Sequence, residues 1–162
     1  MNATPERLVE RLRDEGAKTY DFFQALPPEQ LDQTVYSDGA CWNVRQLLAH
    51  FVATEIAITR LMENILAGSG GVPEAFDIDA FNEQHVDRLQ ALSLPELLDR
   101  FQSSRQASIA LVTQMSAADL QRTGRHPYLG VTSLEEIIKL LYRHIQIHQR
   151  DVRKRNSAAS TV

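Results

Sequence analysis

The sequence predicts an all-α protein, a four-helix bundle with one short accessory helix. Three observations carry that expectation. Almost every periodic segment repeats its apolar residues at the helical period of about 3.6, and no segment shows the strong alternation of a half-buried strand. Each long periodic segment follows an N-cap signal, and the breaks between them are rich in glycine, proline or polar residues. With 162 residues, 43% apolar and 23% charged, the chain has the length and mixture of one ordinary domain that buries a core without disulfides.

Thr4 as N-cap and Pro5 at the first helical position open a helix expected over Pro5–Ala25, with Leu8, Leu12, Tyr20 and Phe23 on its apolar side. Gly16 inside it costs on the order of 1 kcal/mol relative to alanine, which points to close packing against a neighbouring helix. Pro27-Pro28 end it. A polar connection containing Ser37-Asp38-Gly39 leads to Asn43 and Gln46, spaced as a capping box, which open a long helix from Val44 to about Ala67. Leu47, Leu48, Phe51, Ile58, Leu61, Met62 and Ile65 form its core stripe. Gly68-Ser69-Gly70-Gly71 and Pro73 break the pattern, a flexible connection of the kind that often lies over a site. The accessory helix is expected over Asp79–Leu92, with His85 on its surface. Ser93 and Glu96 form a second capping box for a helix reaching about Met115, with Leu97, Leu98, Phe101, Ile109 and Val112 inward. Ser116–Asp119 reads as a turn and His126-Pro127 to Gly130 as a loop. Ser133 with Glu136 caps the last long helix, expected to about Asn156, so residues 1–156 form the bundle and 157–162 a flexible tail.

The formal net charge is −4, and the one notable basic cluster, Arg150–Arg155, reads as a solvated helix end favoured by the macrodipole. No broad basic face is present, so nucleic acid is not expected as a partner. Cys41 is the only cysteine, so no intramolecular disulfide can form, a cytoplasmic location is expected, and the thiol is read as a small apolar filler. No run approaches the roughly 18 apolar residues of a membrane span.

The last helix carries the chemistry. Ile137, Leu141, His144, His148 and Val152 fall on one face, so two histidines replace core apolar residues. Buried neutral imidazoles need partners for their ring nitrogens, and either polar core groups or a divalent metal could supply them. A metal needs a third ligand from another helix. His50, with Ala53 and Ala57 nearby on the same helix, has room around its ring; it reads either as a packed histidine or as that ligand. His126 reads as a loop histidine able to reach a site mouth. Glu55, Glu135 and Glu136 are candidates for orienting the imidazoles, the last two being equally explained by capping.

The segment Trp42-Asn43-Val44-Arg45-Gln46-Leu47-Leu48-Ala49-His50, the segment His126-Pro127-Tyr128-Leu129-Gly130-Val131-Thr132 and the His144/His148 pair together resemble the DinB-like (DinB/YfiT) superfamily over nearly the whole chain. The resemblance implies an up-down-down-up bundle with a long crossover, and a divalent metal, zinc or nickel, held by His50, His144 and His148. It further implies a low-molecular-weight thiol as co-substrate, since relatives include bacillithiol and mycothiol transferases and a mycothiol-dependent maleylpyruvate isomerase. A thiol S-transferase or related isomerase or hydrolase is the activity so implied, with a homodimer as a common assembly. The alternative is a non-catalytic, stress-related metal-binding or dimerisation module. No catalytic residue follows from the sequence. Ion release is expected as pH falls through the free-histidine region near ~6.5.

Overall fold

The computed structural model describes residues 3–160. It contains helices α1 (Pro5–Gln24), α2 (Pro28–Leu31), α3 (Val44–Leu66), α4 (Ile78–Leu89), α5 (Leu94–Thr113) and α6 (Leu134–Ala159), with strands β1 (Thr123–His126) and β2 (Gly130–Ser133) before α6. Four long helices make the bundle. The caps that start them are the ones their sequences encode. The Thr4 hydroxyl accepts from the Arg7 amide, the Asn43/Gln46 and Ser93/Glu96 boxes are closed in both directions, and Ser133 accepts from Glu136.

Side-chain pairs give the helix directions. Glu55 meets Arg105 and Thr59 meets Ser108, so α3 and α5 advance together. Arg11 lies over Tyr142 and Glu15 accepts from Gln146, so α1 and α6 also run the same way. The two pairs oppose each other: His50 near the start of α3 faces His144 in mid-α6, while Ile65 near the end of α3 packs on Gly124 ahead of α6. This is the up-down-down-up order, with the crossover from α3 to α5 carrying α4.

The core has two apolar ends. One gathers Leu8, Leu12, Met62, Ile65, Val112, Leu134 and Ile137, the other Phe23, Leu47, Phe51, Val52, Phe101, Ile145 and Val152. A buried ion pair bridges the helices between them. The Arg105 guanidinium donates to both Glu55 oxygens, at 2.7 and 3.0 Å, and to the carbonyls of Leu12 and Leu141, so one side chain ties α1, α3, α5 and α6. Gly16 makes room for it, since a Cβ there would lie 3.1 Å from Arg105 Cγ.

Three expectations change. The loop around His126 is a β-hairpin, and its first strand also pairs with the Gly68–Pro73 connection: Arg125 donates to the Gly70 carbonyl and Val72 to that of Arg125. Gly71, at φ +97°, allows this approach, because a Cβ would sit 2.3 Å from the Arg125 nitrogen. Four-residue strands paired partly to distant backbone carry too short a pattern to alternate visibly. For the same reason the Gly-rich connection is pinned at the far end of α3, some 17 residues or roughly 25 Å along the helix from His50, and does not lie over the histidines. Last, α6 continues through Ser157 to Ala159; Thr161 and Val162 of the expected tail lie outside the described residues. The basic cluster is therefore not in a last turn. Arg153 lies over the Phe22 ring, and Arg155 Nε donates to the Val35 carbonyl. No helix among the described residues is long and apolar enough to cross a membrane.

Candidate metal centre

His50 enters the bundle two turns into α3, while His144 and His148 stand one turn apart on α6, so all three imidazoles reach the same point between the helices. Among the described residues they are the group of three ligating side chains whose donor atoms all lie within 4.8 Å of one another. The Nε2 atom of His144 is 3.1 Å from that of His50 and 3.0 Å from that of His148. Nitrogens sharing one ion at 2.0–2.1 Å lie roughly 3.0–3.4 Å apart when neighbouring, and both contacts fall there.

Proton accounting favours a cation. The Tyr36 hydroxyl touches both His148 Nδ1 and, at 2.8 Å, Asp151 Oδ2. Its single proton goes to the carboxylate, so it accepts from His148 Nδ1–H, which leaves a lone pair on His148 Nε2. If His144 Nε2 is bare, two lone pairs then face each other across 3.0 Å. If it carries hydrogen and donates to His148, the 3.1 Å contact with His50 has none. Neutral rings can make both contacts only by sharing one His144 hydrogen between two acceptors, whereas a divalent ion would accept all three lone pairs.

Burial sets the electrostatics. His50 is 5% exposed, and desolvation followed by the neighbouring His148 lowers its pKa to about 3. Desolvation, then His50, His148 and His126, lowers that of His144 to about 2. His148 is lowered by burial and partly restored by Asp151. All three rings are thus held neutral, the state that ligates. Tyr36 moves the other way: burial first, then the hydrogen bond and charge of Asp151, raise its pKa and keep its proton. Trp42, 4.7 Å from His50, and Phe51, within 6 Å of His144 and His148, wall the site.

The remaining sequence candidates lie outside the cluster. Glu55 does not orient an imidazole; it is committed to Arg105 and Ser108. Glu135 and Glu136 bind Lys139, and Glu136 also Arg143. Cys41 is exposed rather than a filler, with its sulfur 3.5 Å from the Ser37 and Gly39 carbonyls. His85 stacks on Phe81 at 3.9 Å and bonds its carbonyl. His126 is buried, 5% exposed, and its Nδ1 accepts the Tyr128 and Leu129 amides at 3.1 and 3.2 Å, which shapes the hairpin tip. Tyr36 and Asp151 are what sequence reasoning misses. Asp151, one turn after His148, is visible as a spacing; Tyr36 arrives from a loop 112 residues away in sequence, which no local pattern marks.

The model of the DinB superfamily matches residues 11–152. This chain belongs to the DinB superfamily. No curated protein matches it by sequence. The solved structures similar to it share the superfamily fold at low identity. YfiT from Bacillus subtilis, described as a probable metal-dependent hydrolase with an unusual four-helix bundle topology, is 18% identical, with a TM-score of 0.78 over 96% of this chain and 87% of that one. The mycothiol-dependent maleylpyruvate isomerase is 14% identical, with a TM-score of 0.75 over 91% of this chain; the match spans 60% of the isomerase. The colibactin self-resistance protein ClbS, crystallised in complex with double-stranded DNA, is 12% identical, with a TM-score of 0.73 over 99% of this chain and 98% of that one. That complex corrects the exclusion of nucleic acid. A superfamily fold can bind DNA, because phosphate contacts are made locally and screened beyond about 10 Å, so an acidic net charge does not decide the matter.

Proposed function

We propose that this chain is a divalent-metal-dependent enzyme whose ion, zinc or nickel, is held by His50, His144 and His148, and that it acts as a low-molecular-weight thiol S-transferase or a related isomerase or hydrolase. The observation that carries the reading is the convergence of three imidazoles from two helices, with neighbouring Nε2 atoms at the spacing of ligands that share one ion. An ion held by three neutral imidazoles keeps open positions and supplies Lewis acidity, lowering the pKa of bound water towards ~7 or stabilising a thiolate.

The chain's own residues supply the rest. Burial keeps the imidazoles unprotonated, and Trp42 and Phe51 thin the water around them, which strengthens electrostatics inside the site. The descriptions of YfiT as a probable metal-dependent hydrolase and of the isomerase as mycothiol-dependent support the choice of reaction class. The test has two stages. Metal analysis of natively purified protein should return close to one equivalent of zinc or nickel, lost on chelation with a fall in melting temperature; no stoichiometric metal would refute the site. Thiol-transfer assays with bacillithiol, mycothiol and glutathione against electrophilic acceptors should then show turnover that depends on the ion. Metal without turnover would leave a binding module.

A further inference from the structure

We infer that Tyr36 and Asp151 are positioning residues for the three-histidine site: together they fix His148 as the Nδ1–H tautomer, so that its Nε2 lone pair points at His144 and at the ion. The inference rests on the metal reading proposed above, but the tautomer itself is set by the contacts of Tyr36 with His148 and Asp151.

Proton count at the Tyr36 hydroxyl sets the tautomer. A phenol has one proton and a carboxylate has none, so of the two polar groups touching Tyr36 Oη only one can receive it. If the hydroxyl donated to His148 Nδ1, Asp151 Oδ2 would face an oxygen lone pair across 2.8 Å with no hydrogen between them. Donation to Asp151 satisfies both contacts, because the imidazole then donates through Nδ1–H into the hydroxyl oxygen. The ligating tautomer is set from the side away from the ion, the role a carboxylate or carbonyl plays behind many ligand histidines.

The segment carrying Tyr36 is built to hold it there. Val35 donates to the Trp42 carbonyl at 2.9 Å, Val44 to that of Gln33 at 3.1 Å, Thr34 bridges Asn43, and Arg155 reaches the Val35 carbonyl from α6. The same short segment presents Trp42 to His50 and Tyr36 to His148, so two of the three histidines, on different helices, are braced by one stretch of backbone. Asp151 is delivered by α6 itself, one turn after His148.

The test uses the full chain. Long-range nitrogen–proton NMR of the metal-free, 15N-histidine-labelled protein at pH 7.5 should show His148 as the Nδ1–H tautomer. In Asp151→Ala the hydroxyl loses its acceptor and is free to turn its proton on His148 Nδ1, so the signal should move towards Nε2–H. In Tyr36→Phe the preference should relax to a mixture. Unchanged tautomer in both variants overturns the inference, and if Tyr36→Phe fails to fold, Asp151→Ala alone decides. Competition titration with Zn²⁺ is the second readout. Both variants should bind one equivalent roughly 10–100-fold more weakly than wild type; affinity within twofold of wild type overturns the assignment. Wild type that binds no Zn²⁺ would sink the metal reading instead, while the NMR result would still judge the tautomer.

Discussion

Glu55→Gln should destabilise the protein by about 3–5 kcal/mol, the cost of breaking a buried ion pair by removing one partner. Glu55 is 1% exposed and Arg105 3%, so water cannot take over the lost contacts. In the native network the carboxylate accepts three bonds, from Arg105 Nε and Nη2 and from Ser108 Oγ, while the guanidinium keeps only the Leu12 and Leu141 carbonyls elsewhere. Glutamine retains one acceptor oxygen and turns an amide nitrogen towards a cation, leaving the positive charge buried without a counter-charge. For a chain of this size each kcal/mol shifts the midpoint by roughly 2–4 °C, so a fall of roughly 6–20 °C is expected. Urea unfolding followed by far-ultraviolet circular dichroism, in chelator so that metal linkage is absent, measures the difference with an unchanged slope. The pair is not itself the source of stability: Glu55→Met combined with Arg105→Met should lie within about 1 kcal/mol of wild type or above it. A loss below about 1 kcal/mol in Glu55→Gln, or a double variant worse than the single one, would refute this account of how the bundle is held.

His144→Ala and His148→Ala should abolish stoichiometric metal binding and the chelator-sensitive part of the melting temperature, whereas His85→Ala should change neither; metal analysis and calorimetry check both. The metal-free protein should lose stability as pH falls below about 6.5, because His50 and His144 have folded values of about 3 and 2, below those of the unfolded chain. Stability from these rings is therefore fully present above the unfolded value and is lost as pH falls towards the folded ones, at about 1.4 kcal/mol per pH unit for each ring. A urea midpoint flat from pH 7.5 to 5 would contradict neutral burial. The same depression moves the expected ion release below pH 6.5, because protons compete poorly for buried rings, and metal analysis after dialysis at pH 5 checks it. His126→Ala should cost roughly 1–3 kcal/mol without loss of metal, since it strips the acceptor from the Tyr128 and Leu129 amides.

Helices and ligands differ in how far a sequence exposes them. The boxes at Asn43/Gln46 and Ser93/Glu96 are local, so the starts of α3 and α5 are readable to the residue. The inward placement of His144 and His148 follows from one helical stripe, and His50 joins them through the superfamily resemblance rather than through any spacing of its own. What stays hidden is made by tertiary contact. Glu55 looks available to an imidazole because its partner, Arg105, comes from another helix, 50 residues further on. Tyr36 lies in a stretch that reads as polar connection, and the hairpin joins two four-residue strands too short to alternate visibly, the first of them also bridged to Gly71. The extension of α6 past Asn156 has a similar origin. Arg153 packs on Phe22 and Asn156 donates to Gln30, holding helical a segment whose composition reads as tail.

The central claim is that His50, His144 and His148 share one ion. Anomalous diffraction from crystals of natively purified protein, recorded on both sides of the zinc and nickel edges, tests it most directly. The account predicts a single strong peak about 2.0–2.1 Å from all three Nε2 atoms, with Tyr36 still bonded to His148 behind it. A map with no peak between the three rings, or with the ion on other side chains, would contradict it.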